Sequence, residues 1–317
     1  MILQTKVPLQ KEAKNPISYA SKIVLLGSCF SENIGDQLNY FKFQTIQNPF
    51  GILFHPKAIK ELVANAIHEK TYTETDLVFQ NERWHCFDAH SKLSAPEKKD
   101  VLSQLNKAIT STNTALKEAT HLVITLGTSW VYRDTATHKI VANCHKIPQK
   151  KFSKELLSVQ EVTETLSEII TLIQSVNASI NIIFTVSPVR HLKDGFMENT
   201  QSKSHLIAGI QTLLSNSKSN LHYFPSYEIM MDELRDYRFY SEDLIHPNTT
   251  AIRYIWERFT TTWIDEKAAE MMQEINTIQK GLSHRPFDVN SVQHQKFLTN
   301  LSSKIAKIAT EFPLIKF

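Results

Sequence analysis

The chain has 317 residues, 42% of them apolar and 21% charged, which excludes a disordered chain and is enough to bury a sizeable core. Lys and Arg exceed Asp and Glu by only three, 35 against 32, so the positive footprint of a nucleic-acid binder is missing. There is no apolar run of transmembrane length and no secretory-type leader, and the three cysteines (Cys29, Cys86, Cys144) form neither a CxxC pair nor an even disulfide set, so a reduced, cytoplasmic protein is expected.

Residues 22–27, KIVLLG, are a continuous apolar run closed by glycine, the pattern of a strand buried on both faces of a parallel sheet. A helix follows, with Phe30, Ile34 and Leu38 on one face. The stretch 41–51 reads as extended up to Asn48-Pro49, and helical patterns cover 56–68 and 97–119 with a strand or hairpin at 80–93 between them. Residues 121–127, HLVITLG, form the next buried strand, and 130–145 read as a hairpin with a polar tip. A helix at 160–177, a strand at 180–186, a helix at 199–217, a strand at 221–226 and a helix from Thr249 follow. Lysine-rich helices over 266–310 are expected to dock on the main domain. Strands alternating with helices predict an α/β protein with a mostly parallel sheet.

In such a sheet the site lies beyond the carboxyl ends of the strands, where this chain places Ser28-Cys29, Asn48 with Gly51, Thr128-Ser129, Ser187 with Arg190, and Ser226. Ser28 and Cys29 stand where a buried strand meets a helix N-terminus, whose free N–H groups and dipole favour an anion and would lower a thiol's pKa. The alternative is that Ser28 is a cap and Cys29 a small buried apolar residue. Asp243 and His246 share one loop before the last core helix, a pairing that suits an imidazole base oriented by a carboxylate, or simply a solvated turn. Cys144 and His145, taken as strand neighbours, would point to opposite faces, and the His85, Cys86 and His90 cluster suits packing or a binding rim better than a metal. Arg190 and His191 suit an anionic substrate group or a loop salt bridge.

Taken together, strand-Gly-x-nucleophile near the start and Asp-x-x-His-Pro before a late helix resemble the first and last blocks of the SGNH (GDSL-type) hydrolase superfamily. More narrowly, Gly27-Ser28-Cys29-Phe30 resembles the motif of the GSCFA-domain family, and NPFG (48–51), TLGTSWVY (125–132), NCHK (143–146), SPVRH (187–191), YFPSYE (223–228) and DLIHPN (243–248) fit it too. Ser31 stands where the family motif ends in alanine.

The resemblance implies a three-layer α/β/α, flavodoxin-like domain over 1–262 with a C-terminal helical extension over 263–317. It implies hydrolysis or transfer of an acyl ester, such as an O-acylated carbohydrate, with no cofactor or metal and with neither nucleic acid nor membrane as partner. Aligning the motifs puts Cys29 at the nucleophile position with Ser28 as the alternative, and Asp243 and His246 as the dyad. Gly51 and Ser129 would fall on the oxyanion blocks, with Asn143 as a possible substitute amide, and Asn48 and Arg190 would line the substrate site. Two other classes are weighed beside it: a non-catalytic binding domain that keeps the cleft, and an interaction module built on the C-terminal helices.

Overall fold

The computed structural model describes residues 4–216 and 220–317. The chain opens with β1 (Lys22–Gly27), α1 (Cys29–Tyr40), β2 (Gln44–Gln47) and α2 (Pro56–Ile67). A hairpin of β3 (Leu77–Gln80) and β4 (Arg83–Cys86) precedes α3 (Lys98–Glu118) and β5 (His121–Leu126). Next come β6 (Trp130–Asp134), β7 (Ile140–Val141), β8 (Phe152–Leu156) and α4 (Val159–Val176). They are followed by β9 (Asn181–Val186), α5 (Phe196–Ser215) and β10 (Leu221–Phe224). A short α6 (Ser226–Glu228) runs into a π-helical turn, and α7 (Thr249–Trp263), α8 (Glu266–Leu282) and α9 (Val292–Glu311) complete the chain.

Five parallel strands form the central sheet in the order β10-β9-β5-β1-β2. Relabelled by their sequence among themselves, this is the 2-1-3-4-5 order of a flavodoxin-like sheet, with its switch point between β1 and β5. Successive strand residues point to opposite faces, and two cores follow from that alternation. Val24, Leu26, Leu122, Ile124, Ile182 and Phe184 pack under α2 to α5, whereas Ile23, Leu25, Val123 and Ile183 pack under α1, α7, α8 and α9. The result is a three-layer α/β/α arrangement. Among the described residues, no helix is long and apolar enough to cross a membrane.

Four readings differ from the structure. The extended stretch at 41–51 shrinks to Gln44–Gln47, because Asn48 takes a positive φ (41°) and starts a turn closed by the Gly51 N–H on the Asn48 carbonyl at 2.7 Å. The 130–145 hairpin is one side of a three-stranded sheet, since β8 pairs antiparallel with the other edge of β6. Cys144 and His145 lie in a turn rather than on a strand, with positive φ at His145 (49°) and Lys146 (58°). The helix expected over 199–217 starts at Phe196, and position 217 lies outside the described residues.

Candidate active site

The carboxyl end of β1 is forced into shape by Gly27. Its φ is +131°, and a Cβ there would lie 2.1 Å from the Thr125 carbonyl oxygen of β5, so only glycine fits the switch point. The chain then turns directly into α1. Ser28 is fully buried and caps that helix, its Oγ accepting from the Phe30 N–H at 3.3 Å. Cys29 occupies the first helical position, half-buried, and among the described residues its own N–H has no backbone or side-chain acceptor. The thiol is not depressed as the helix terminus alone predicts. Burial and the Glu32 carboxylate hold it above its ordinary value, against the opposing pull of Lys203 and of the N–H groups of Cys29 and Phe30.

Asp243 and His246 meet on the loop before α7. Asp243 Oδ2 accepts from His246 Nδ1 at 2.6 Å, while Oδ1 accepts from the N–H groups of Ile245 (2.9 Å) and His246 (3.0 Å). Those two amides and then the imidazole hold the carboxyl down at about 2. Leu244 reaches this geometry only at φ 56°, an unfavourable conformation for a leucine that the surrounding hydrogen bonds impose. The loop is anchored by Ser241 N–H to His246 O (2.8 Å) and by Asn248, which caps α7 and also donates to Arg238 O (2.6 Å). The dyad is solvent-exposed, and among the described residues no hydrogen bond joins His246 to the Cys29 sulfur.

The expected oxyanion donors fare differently. Gly51 is committed to its turn: its N–H already donates to Asn48 O. Ser129 is fully buried, its N–H donating to Ser202 Oγ (2.8 Å) and its hydroxyl to Ser202 O (3.1 Å), so it braces β6 against α5 instead of facing a substrate. Asn143 uses Oδ1 to accept the His145 N–H (2.8 Å) and lines a cavity of about 550 Å³ with Phe54, Thr128, Trp130 and Cys144. Asn48 is the exception. Its Oδ1 accepts from Gly27 N–H at 2.9 Å, and its buried Nδ2 has no partner among the described residues, an amide donor beside the β1 turn.

Arg190 links the two loops of the site, its N–H reaching Ile245 O at 3.5 Å and its guanidinium lying over the Phe196 ring at 5.7 Å. His191 is pushed down to about 3, by burial first and then by Lys203 and His246. His85 and His145 stack with ring centroids 4.6 Å apart, and His145 bonds Cys86 O at 2.7 Å, so His85 and Cys86 of WHCFDAH pack against the His145 turn.

The residue that sequence reasoning missed is Lys203. It is 1% exposed and donates to Gly127 O (2.7 Å) and Ser187 O (2.8 Å), the carbonyls just past β5 and β9. A signal was available, because Lys203 stands three and seven residues before Leu206 and Ile210, on the apolar stripe of α5.

Residues 22–259 match the GSCFA family, and residues 275–317 match the family described as GSCFA domain protein, C-terminal domain. No curated protein matches the chain. With the first match spanning well over half of its length, the chain belongs to the GSCFA family.

Proposed function

We propose that the protein is a thiol-dependent acyl-ester hydrolase or acyltransferase of SGNH type, with Cys29 as nucleophile and Asp243–His246 as its base. What supports this most is the placing of Cys29 at the first position of α1, at the switch point of the sheet, in a chain that also holds a hydrogen-bonded Asp–His pair. In the reaction, Sγ attacks the acyl carbon and its proton passes to His246 Nε2. Asp243 fixes the ring by accepting from Nδ1–H. The carbonyl oxygen takes up the negative charge, facing the Cys29 N–H and the unpaired Asn48 Nδ2. The C–O bond of the ester then breaks, and the leaving oxygen takes the proton back from His246. Water or an acceptor hydroxyl, deprotonated by His246, attacks the thioester and releases the thiol. Ser28 is the poorer candidate nucleophile, being fully buried and used as a cap. An O-acylated carbohydrate is the substrate class suggested by the SGNH resemblance.

One observation favours a binding domain without turnover: the missing hydrogen bond between His246 and the thiol. Catalytic contacts often tighten only with substrate bound, so the enzyme reading stands first. The test is incubation with an activated acetyl ester, an acid quench and intact-mass analysis with adduct mapping. An acetyl group on Cys29 that is lost in His246→Ala is expected. An adduct on Ser28 would keep the esterase class and move the nucleophile. No adduct in folded protein, with several acyl donors, would favour the binding domain.

A further inference from the structure

A buried lysine normally answers a carboxylate, and Lys203 does not. Its hydrogen-bond partners are two main-chain carbonyls, and among the described residues it has no acidic partner. A neutral amine has two N–H bonds, which Gly127 O and Ser187 O use up, whereas the ammonium has a third with no acceptor among the described residues; burial accordingly pushes Lys203 down to about 7, with Cys29 pulling the other way. Two carbonyl dipoles partly offset the charge of the ammonium form but leave it without a counter-anion.

The surroundings name that counter-anion. β1 and β5 run in register with Gly27 opposite Thr125, so Cys29, two residues past Gly27, stands across from Gly127, whose carbonyl holds the amine. His191 Nε2 lies beside the same glycine, 3.2 Å from where a Cβ would be, and the Tyr227 ring of α6 lies 5.6 Å from the amine. Glu32 on α1 and His246 on the loop before α7 act on the thiol and on His191 respectively. Of these groups, His191 is a base that offers no anion, and burial raises both the Tyr227 phenol and the Cys29 thiol, but the thiol starts from the lower ordinary value, so a thiolate at Cys29 is the anion nearest to forming. The need for a cation is independent of this. Gly127 and Thr128 spend their N–H groups on Phe54 O (2.7 and 3.0 Å), Ser129 spends its own on Ser202, and Gly51 on Asn48. Four amides near the strand ends are thus unavailable to a developing negative charge.

We propose that Lys203 is a positioning residue whose buried ammonium, held between the carboxyl ends of β5 and β9, stabilises negative charge at Cys29 and on the oxyanion formed there. Cys29 and Lys203 then form a thiolate–ammonium couple across the switch point, and the cation takes the place of the missing backbone donors. The second half, concerning the oxyanion, rests on the acyl-transfer reading; the first half, concerning the thiol, does not.

The experiment reads the thiol without any ester. The rate of Cys29 alkylation by iodoacetamide is followed by peptide mass mapping from pH 6 to 12 in wild type, Lys203→Met and Lys203→Gln, each checked for a cooperative melt. In wild type, Cys29 is expected to titrate below Cys144, whose thiol burial pushes up to about 11, and this internal comparison needs no variant. In either folded variant the Cys29 midpoint should rise and its rate at pH 7 fall about tenfold or more, while the Cys144 curve stays in place. A Cys29 midpoint at or above that of Cys144 in wild type, or one unmoved in a folded variant, overturns the assignment. Turnover that survives Cys29→Ala would defeat the acyl-transfer reading and leave the thiol–lysine couple intact, so the two failures are distinguishable.

Discussion

Asn48 carries two jobs on one amide. Its oxygen closes the β1 turn by accepting from Gly27 N–H at 2.9 Å, which leaves the nitrogen buried with no acceptor among the described residues. An unpaired buried donor costs roughly 1–3 kcal/mol, so its persistence is explained if an oxygen arrives there during the reaction. Asn48 also sits at φ 41°, where glycine is comfortable, so Asn48→Gly removes the amide without straining the turn. Losing an oxyanion donor is worth roughly 10²–10³ in rate, and Asn48→Gly should slow acetylation of Cys29 by about that factor. An unchanged acetylation rate, measured by stopped-quench mass analysis, would remove Asn48 from the site. At this scale the sequence was informative where the chemistry is local: Ser28-Cys29 at a strand–helix junction, and Asp243 three residues before His246. For Lys203 it offers only a charge on the apolar stripe of α5, and it gives no sign of the Ser129–Ser202 pairing, because those contacts cross 76 and 73 residues, from α5 back to the end of β5. A motif shows which residue types recur, and a hydrogen bond to Ser202 that uses up a hydroxyl leaves no mark in it.

Elements of this fold are set by local signals to different degrees. β5 and β9 are buried along their whole length, and mainly apolar runs such as HLVITL and NIIFTV identify central parallel strands. β8 escaped notice because Phe152–Leu156 is an edge strand with Ser153 and Lys154 exposed, and its pairing with β6 depends on the intervening loop. The start of α2 shows how a polar side chain substitutes for a stronger cap. His55 Nδ1 accepts from Ala58 N–H at 3.1 Å, and the opposite ring nitrogen bonds Val141 O at 3.1 Å, tying the helix to β7. Both bonds require the neutral tautomer protonated at Nε2, and burial accordingly pushes His55 down to about 4 from an ordinary 6.5. A histidine with a lowered folded pKa contributes stability that is complete above its unfolded value. That stability is lost as pH falls from about 6.5 towards 4, where the unfolded chain binds the extra proton. The window corresponds to about 3 kcal/mol at most for this one group. Asparagine caps helices well and does not titrate, so His55→Asn should flatten the loss of stability on acidification without abolishing it, since His145 is pushed down to about 4 as well. Urea unfolding at pH 7, 6 and 5 checks this, and identical slopes in both proteins would show that His55 charges at no cost.

Across the whole molecule, the C-terminal helices belong to the core that holds the candidate nucleophile in place. Met271, Met272, Ile275 and Ile278 of α8 are buried in the same cluster as Phe30, Ile34 and Leu38 of α1. Tyr40, the last residue of α1, donates to Asn276 Oδ1 (2.9 Å) and accepts at its carbonyl from Gln279 Nε2 (2.8 Å). α1 is therefore fixed at its far end by α8, while its near end presents Cys29. Removing 266–317 would strip these four side chains from the core and leave the α1 face they share a cluster with open to water, at roughly 1.5–3 kcal/mol for each buried side chain so exposed, a loss comparable with the whole stability of a typical domain. A deletion is thus a poor test of a separate interaction module, because the remaining core is not expected to stay folded. A point change separates the two ideas. Ile275 is fully buried, and Ile275→Ala should cost about 2–5 kcal/mol in urea unfolding. Val292 on α9 is 73% exposed, and Val292→Ala should stay within about 0.5 kcal/mol. If α8 were an appended module with its own equilibrium, Ile275→Ala would leave the main transition where it was and create a separate early one. If it is part of one cooperative unit, the single transition shifts as a whole, and Cys29 becomes reactive in step with it.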